Sequence, residues 1–122
     1  MIAGIGIDMI EVSRITKACS RRHFLERCYT IREVMLFEND FVRLAGNFAV
    51  KEAVAKSLGT GFRGFGLQDI EVLRDEAGAP FVHLYGKARM LMNEKKISKF
   101  HVSITNLSEY VTAFVVAEME DV

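Results

Sequence analysis

Glu52 interrupts an apolar helical stripe, and the residues around it are the ones with chemistry to offer. Apolar side chains recur at Phe41, Leu44, Ala45 and Phe48, the spacing of one buried helix face, and the next positions on that face are Glu52 and Lys56. A carboxylate aimed at a core is costly unless a lysine or a metal ion pairs with it. Glu52 is therefore either half of a helix-surface pair with Lys56, worth only about 0.3–0.5 kcal/mol, or part of a reactive site. Asp8 poses the same choice. It ends an apolar strand and, with Glu11 three residues on, has the pattern of a helix N-cap. Two carboxylates from different elements also suit a magnesium ion, which keeps several waters and takes phosphate oxygens as further ligands.

The segment after Lys56 strengthens the phosphate reading. Ser57-Leu58-Gly59-Thr60-Gly61 places a lysine beside flexible backbone amides of the kind that wrap phosphate oxygens. It is not a P-loop, because there the glycines precede the lysine and feed a helix N-terminus. Gly4-Ile5-Gly6 is no dinucleotide fingerprint either: the third glycine is missing, and Asp8 repels a pyrophosphate unless a divalent cation lies between them. Arg14, Lys17, Arg21 and Arg22 form a local basic cluster, either a solvated face or a docking strip for an acidic protein. His101, beside Ser103, reads as a structural strand histidine or a phosphate partner.

The elements that must position these groups follow from pattern and punctuation. Residues 1–8 read as a strand in which Gly4 and Gly6 allow close backbone approach, followed by a helix opening at Asp8 and running to about Lys17. A short helix is expected near 21–27, and Thr30 with Glu33 repeats the capping pattern before another. Residues 41–58 form the strongest helix, closed by Gly59. Strands at 67–74 and 81–84 form a hairpin with the only proline, Pro80, at the start of its second arm; a helix over 85–96 and strands at 100–105 and 110–118 complete the chain. The order β-ααα-ββ-α-ββ predicts an α+β domain spanning 1–122 with a mostly antiparallel sheet.

Composition bounds the function. The 122 residues carry 16 basic and 16 acidic side chains, which removes any general pull toward nucleic acid or a membrane surface. Half of the residues are hydrophobic, a rich share for a small domain, so part of the apolar surface is expected to face a partner subunit. Cys19 and Cys28 have no metal-type spacing and read as reduced thiols. No segment has the length of a membrane span or the form of a leader, which favours the cytoplasm.

Taken together, these residues resemble holo-acyl-carrier-protein synthase, the small bacterial type of 4′-phosphopantetheinyl transferase. The resemblance rests on Gly4-Ile5-Gly6-Ile7-Asp8 with Glu11 and Arg14, on Leu44 through Lys56 with its Lys51-Glu52-Ala53-Val54-Ala55-Lys56 core, on Leu58-Gly59-Thr60-Gly61, and on His101-Val102-Ser103-Ile104-Thr105. It implies transfer of phosphopantetheine from coenzyme A to a serine of apo-acyl-carrier protein, in fatty acid biosynthesis, by a homotrimer with active sites between subunits. Asp8 and Glu52 would hold magnesium, Lys56 would neutralise the phosphates, and Gly59, Thr60 and Gly61 would line them. Asn47, Asn106 and His101 are carried over as coenzyme A contacts, and Arg14, Arg21 and Arg22 as carrier-protein contacts. Asn47 and Asn106 depart from the family, which commonly has arginine and histidine there; replacing a charged donor by a neutral one costs roughly 1–2 kcal/mol of affinity at each position. The alternative is a non-catalytic module that binds coenzyme A or a carrier protein.

Overall fold

Gly4 and Gly6 decide how the first strand packs. A Cβ at Gly6 would stand 1.8 Å from the carbonyl oxygen of Ala53, and one at Gly4 would stand 2.0 Å from that of Ser57. Only glycine lets the strand lie against the helix backbone at this distance. The computed structural model describes residues 1–121. In it, strand β1 (Ile2–Glu11) rests on helix α4 (Phe41–Ser57), with helices α1 (Val12–Cys19), α2 (Arg22–Cys28) and α3 (Ile31–Phe37) between them in sequence. A single 3-10 turn (Leu67–Asp69) leads into the hairpin of β2 (Ile70–Arg74) and β3 (Pro80–Leu84), followed by α5 (Gly86–Glu94), β4 (Ile97–Asn106) and β5 (Tyr110–Met119).

The strands form two antiparallel sheets, one ordered β1-β5-β4 and the other pairing β2 with β3. The α+β class and element order agree with the sequence expectation, the helical run before the hairpin being divided into four segments. In the larger sheet Asp8 lies opposite Ala113, which in turn lies opposite Ile104. The period-2 alternation turns Gly6, Ile10, Ala113 and Val115 toward α4, while Ile5, Ile7, Met9 and Phe114 face outward and remain exposed.

Three local expectations change. Asp8 does not cap a helix: β1 continues through Glu11, because pairing with β5 satisfies its backbone, and α1 starts at Val12 with no side-chain cap. Helix α4 is buried on nearly all sides rather than along one stripe, including Leu44, Ala45, Val50, Val54 and Ala55. Strand β4 starts at Ile97, three residues earlier than the pattern suggests, after Lys96 turns the chain through a left-handed conformation (φ 57°). The Thr30–Glu33 capping box forms in full: Glu33 N donates to Thr30 Oγ1 at 3.2 Å and Thr30 N to Glu33 Oε1 at 3.0 Å.

Adding one methyl group at the strand–helix contact tests its importance. Gly6→Ala is expected to push β1 off α4 and cost about 2–3 kcal/mol, read as a lower midpoint in urea denaturation.

Candidate active site

The close approach of β1 to α4 brings Asp8, Glu52 and Lys56 together. Lys56 Nζ donates to Asp8 Oδ1 at 3.2 Å and to the carbonyl oxygen of Ile7 at 2.9 Å. The ammonium is thus committed to the strand, and the local Glu52–Lys56 helix pair is not what forms. Asp8 is mostly covered, with its side chain 19% exposed, whereas Lys56 is 54% exposed and reaches solvent. Glu52 is half-buried beside them. Burial first, and then the negative charge of Asp8, raise its pKa above the ordinary carboxylate value, while Lys56 works in the opposite direction.

A half-buried carboxylate whose proton affinity is raised by a second carboxylate beside it marks a place that gains from a cation. Among the described residues no group of three or more His, Cys, Asp and Glu side chains converges. The donor set therefore does not fit a closed protein cage of the zinc type; it fits a hard divalent ion completed by water and substrate oxygens.

The helix then ends as the sequence predicts. Leu58 is the C-cap, Gly59 takes a left-handed φ of 79°, and its N–H donates to the Lys56 carbonyl at 3.0 Å. Gly61 and Gly64 also have positive φ, at 64° and 81°. Thr60 Oγ1 donates to the carbonyl of Gly61 at 3.0 Å. Lys56 and this loop therefore share one end of α4.

Other expected site residues are placed elsewhere. Asn47 is fully buried, and its Nδ2 donates to Glu33 Oε2 and to the Val72 carbonyl, both at 2.9 Å. It is a core residue, out of reach of a nucleotide. His101 lies on the outer face of the sheet opposite Val116, with Nε2 3.0 Å from Glu118 Oε1, on the side away from α4. Asn106, at the exposed end of β4, lines a cavity of about 370 Å³ with Arg43, Arg74 and Gly46. Burial and then the neighbouring Arg43 lower the pKa of Arg74, although Arg43 itself pairs with Asp40 at 3.0 Å. Arg14 and Arg21 are exposed on α1 and at the α1–α2 junction. Arg22 is exposed too but engaged with Glu26 and Glu38 at 3.3 and 3.5 Å.

Residue patterns alone missed a buried polar network behind the site. Lys51 and Glu33 are both wholly buried and paired at 2.6 Å, and Thr30 Oγ1 donates to Glu71 Oε2 at 2.6 Å. Burial pulls the Lys51 pKa down against the opposing pull of Glu33. Its signal was present: Asn47 and Lys51 stand one turn apart on a helix too apolar to leave them a solvated face.

A family model for the 4′-phosphopantetheinyl transferase superfamily matches residues 4–115. The chain belongs to this superfamily. It is 52% identical over 119 residues to a holo-[acyl-carrier-protein] synthase of Lachnoclostridium phytofermentans, covering 98% of each chain. Its structure is similar to the crystal structure of the holo-[acyl-carrier-protein] synthase of Neisseria meningitidis, with a TM-score of 0.89, 34% identity and coverage of 97% of this chain and 99% of that one. It also resembles the Helicobacter pylori synthase crystallised in complex with coenzyme A, with a TM-score of 0.82, 31% identity and coverage of 93% and 99%.

The raised pKa of Glu52 has a definite consequence for stability. Because its folded value exceeds the unfolded one, its contribution is fully present below the unfolded pKa and is lost as pH rises through the folded value. Glu52→Gln is therefore expected to melt above wild type near neutral pH in chelator. The difference should vanish below the ordinary glutamate pKa of about 4.3, as followed by thermal scans across pH.

Proposed function

We propose that this chain transfers the 4′-phosphopantetheine group of coenzyme A to a serine of apo-acyl-carrier protein, giving holo-acyl-carrier protein and adenosine 3′,5′-bisphosphate, as a magnesium-dependent enzyme of fatty acid biosynthesis. The observation that carries this reading is the convergence of Asp8, Glu52 and Lys56 on the glycine-rich end of α4. The serine Oγ forms a bond to the β-phosphorus, the bond from that phosphorus to the bridging oxygen breaks, and the nucleotide leaves with both of its phosphates. Catalysis of this kind is mainly positioning and charge neutralisation.

The geometry supports the following roles. Asp8 and Glu52 would hold the magnesium ion, which when bound offsets negative charge on the pyrophosphate oxygens. Lys56, half exposed and already anchored on Asp8 and the Ile7 carbonyl, adds a positive charge on the same side. Thr60 and Gly61 would offer backbone N–H groups to the phosphates, while Gly59, its own N–H taken by the Lys56 carbonyl, keeps the turn free of a side chain. The serine proton would go either to Glu52 directly or to a water on the magnesium ion.

The rest of coenzyme A and the partners take other surfaces. The cavity beside Asn106 has two guanidinium groups and suits the nucleotide end. It lies toward β4, whereas Asp8 is on β1 at the other edge of the same sheet, which favours a neighbouring subunit's cavity serving each site. The uncovered apolar face of Ile5, Ile7, Met9 and Phe114 supports a homotrimer. Arg14, Arg21 and Arg22 suit acidic side chains of the carrier protein. No described helix is long and apolar enough to cross a membrane.

The deciding experiment mixes protein, magnesium, coenzyme A and apo-carrier protein and looks for the phosphopantetheine adduct by mass spectrometry. Wild type is expected to form it, and Asp8→Asn and Glu52→Gln to lose it; magnesium should raise the wild-type melting temperature and leave that of Glu52→Gln unmoved. Adduct formation unchanged by both substitutions overturns the metal assignment, and coenzyme A binding without adduct across several carriers favours the binding module. For the nucleotide end, Asn106→His is expected to lower the KM for coenzyme A about tenfold, the worth of one charge-assisted hydrogen bond; an unchanged KM removes that placement.

A further inference from the structure

Lys51 makes hydrogen bonds that a simple buried ion pair does not require. Its ammonium has three protons, and they go to Glu33 Oε1 at 2.6 Å, to the Leu67 carbonyl at 3.0 Å and to the Ile70 carbonyl. The two carbonyls belong to the first residue of the 3-10 turn and to the residue just after it, where the glycine-rich segment rejoins the fold. We propose that Lys51 is a positioning residue for the phosphate loop, tying the far end of residues 59–66 to the same helix that carries Glu52 and Lys56. This rests on the reading of that loop as the coenzyme A phosphate site.

The loop is tied at two ends and lightly held between them. Its near end leaves α4 through the Gly59 N–H to Lys56 carbonyl bond of 3.0 Å. Its far end closes on Lys51, helped by reciprocal bonds between Gly66 and Asp69 of 3.0 and 3.1 Å. Between the ends, Phe65 is buried and packs on Phe62 with ring centroids 5.5 Å apart. Glu33, the carboxylate paired with Lys51, is itself fixed by the Thr30 N–H and by Asn47. Lys51 and Lys56 are five residues apart and so point to different sides of α4: one helix presents Lys56 to β1 and Lys51 to the start of β2. The distance between the metal-holding carboxylate and the loop amides is then set by a single rigid element, which is what accurate phosphate positioning demands.

The test separates positioning from stability. In the double variant Lys51→Met with Glu33→Gln, the buried charges leave together. Volume is largely kept and glutamine still completes the capping box, so the variant is expected to melt close to wild type. The Leu67 and Ile70 carbonyls nevertheless lose the lysine's hydrogen bonds. Steady-state assays with magnesium and apo-carrier protein should show the KM for coenzyme A raised about tenfold, roughly the net worth of the missing hydrogen bonds. The KM for the carrier should stay unchanged, and amide exchange over residues 60–66 should be faster. A wild-type melting temperature with wild-type KM and wild-type loop exchange overturns the proposal, leaving Lys51 a purely structural residue. Should the double variant not fold, amide exchange in wild type decides. Residues 67–70 must then exchange only through global unfolding while 60–64 open locally, and equally fast exchange in both segments also overturns it. A wild-type protein that forms no adduct counts against the proposed function, whereas the exchange comparison still reports on the clamp.

Discussion

Two glycines on β1 lie against the bare carbonyl oxygens of α4, at a separation no side chain tolerates. The remaining geometry of the site depends on that contact. At a normal strand–helix spacing a side chain on β1 would be held off the helix by the Cβ layer between them. With that layer removed, Asp8 sits within hydrogen-bond distance of Lys56 and close enough to Glu52 to raise its pKa. The same approach explains why Asp8 stays in the strand: its backbone belongs to the ladder with β5, and its carboxylate is left for the helix. A sheet–helix packing contact and an electrostatic site are thus one arrangement.

Helix α4 carries the opposite burden on its other side. Asn47 and Lys51 face the hairpin and α3, where Glu33 receives both. A pair of charges in so dry a place contributes little net stability, because desolvation offsets most of their attraction. Its value lies in direction: carboxylate, amide and ammonium have fixed donor and acceptor geometries, so α3, α4 and the start of β2 meet in one register rather than several. Oily side chains alone would allow sliding of these short elements, since apolar packing has no preferred direction. Charge is therefore used twice on one helix, buried and paired toward β2, half-exposed toward β1, where Glu52 faces the like charge of Asp8.

Much of this was legible in the residues. The Thr30–Glu33 box, the end of α4 at Gly59 and the use of Gly4 and Gly6 for close approach are local matters of turn chemistry, and each forms as its residues predict. Glu52 stands out in the sequence for a partly mistaken reason: it is not a charge aimed at the core, and the wholly buried charge of this helix is its neighbour Lys51. Helical periodicity could not separate them, because α4 is covered on nearly every side and a stripe has meaning only when the opposite face is wet. Asn47 and His101 show the same limit from the other direction. Both types can bind phosphates, yet one is enclosed by Glu33 and Val72 and the other turns outward onto Glu118.

By itself the sequence determined the class of the fold, the elements with strong local signals and the family, because caps, glycine turns and the Lys-Glu-Ala-x-x-Lys core act over a few residues. Only the tertiary structure decided which side chains share a space. Asp8 and Lys56 meet across 48 positions, and Lys51 reaches Leu67 and Ile70 across 16 and 19. Such pairings depend on strand register and on the depth of a helix in the core, which are properties of packed surfaces rather than of any short stretch of chain.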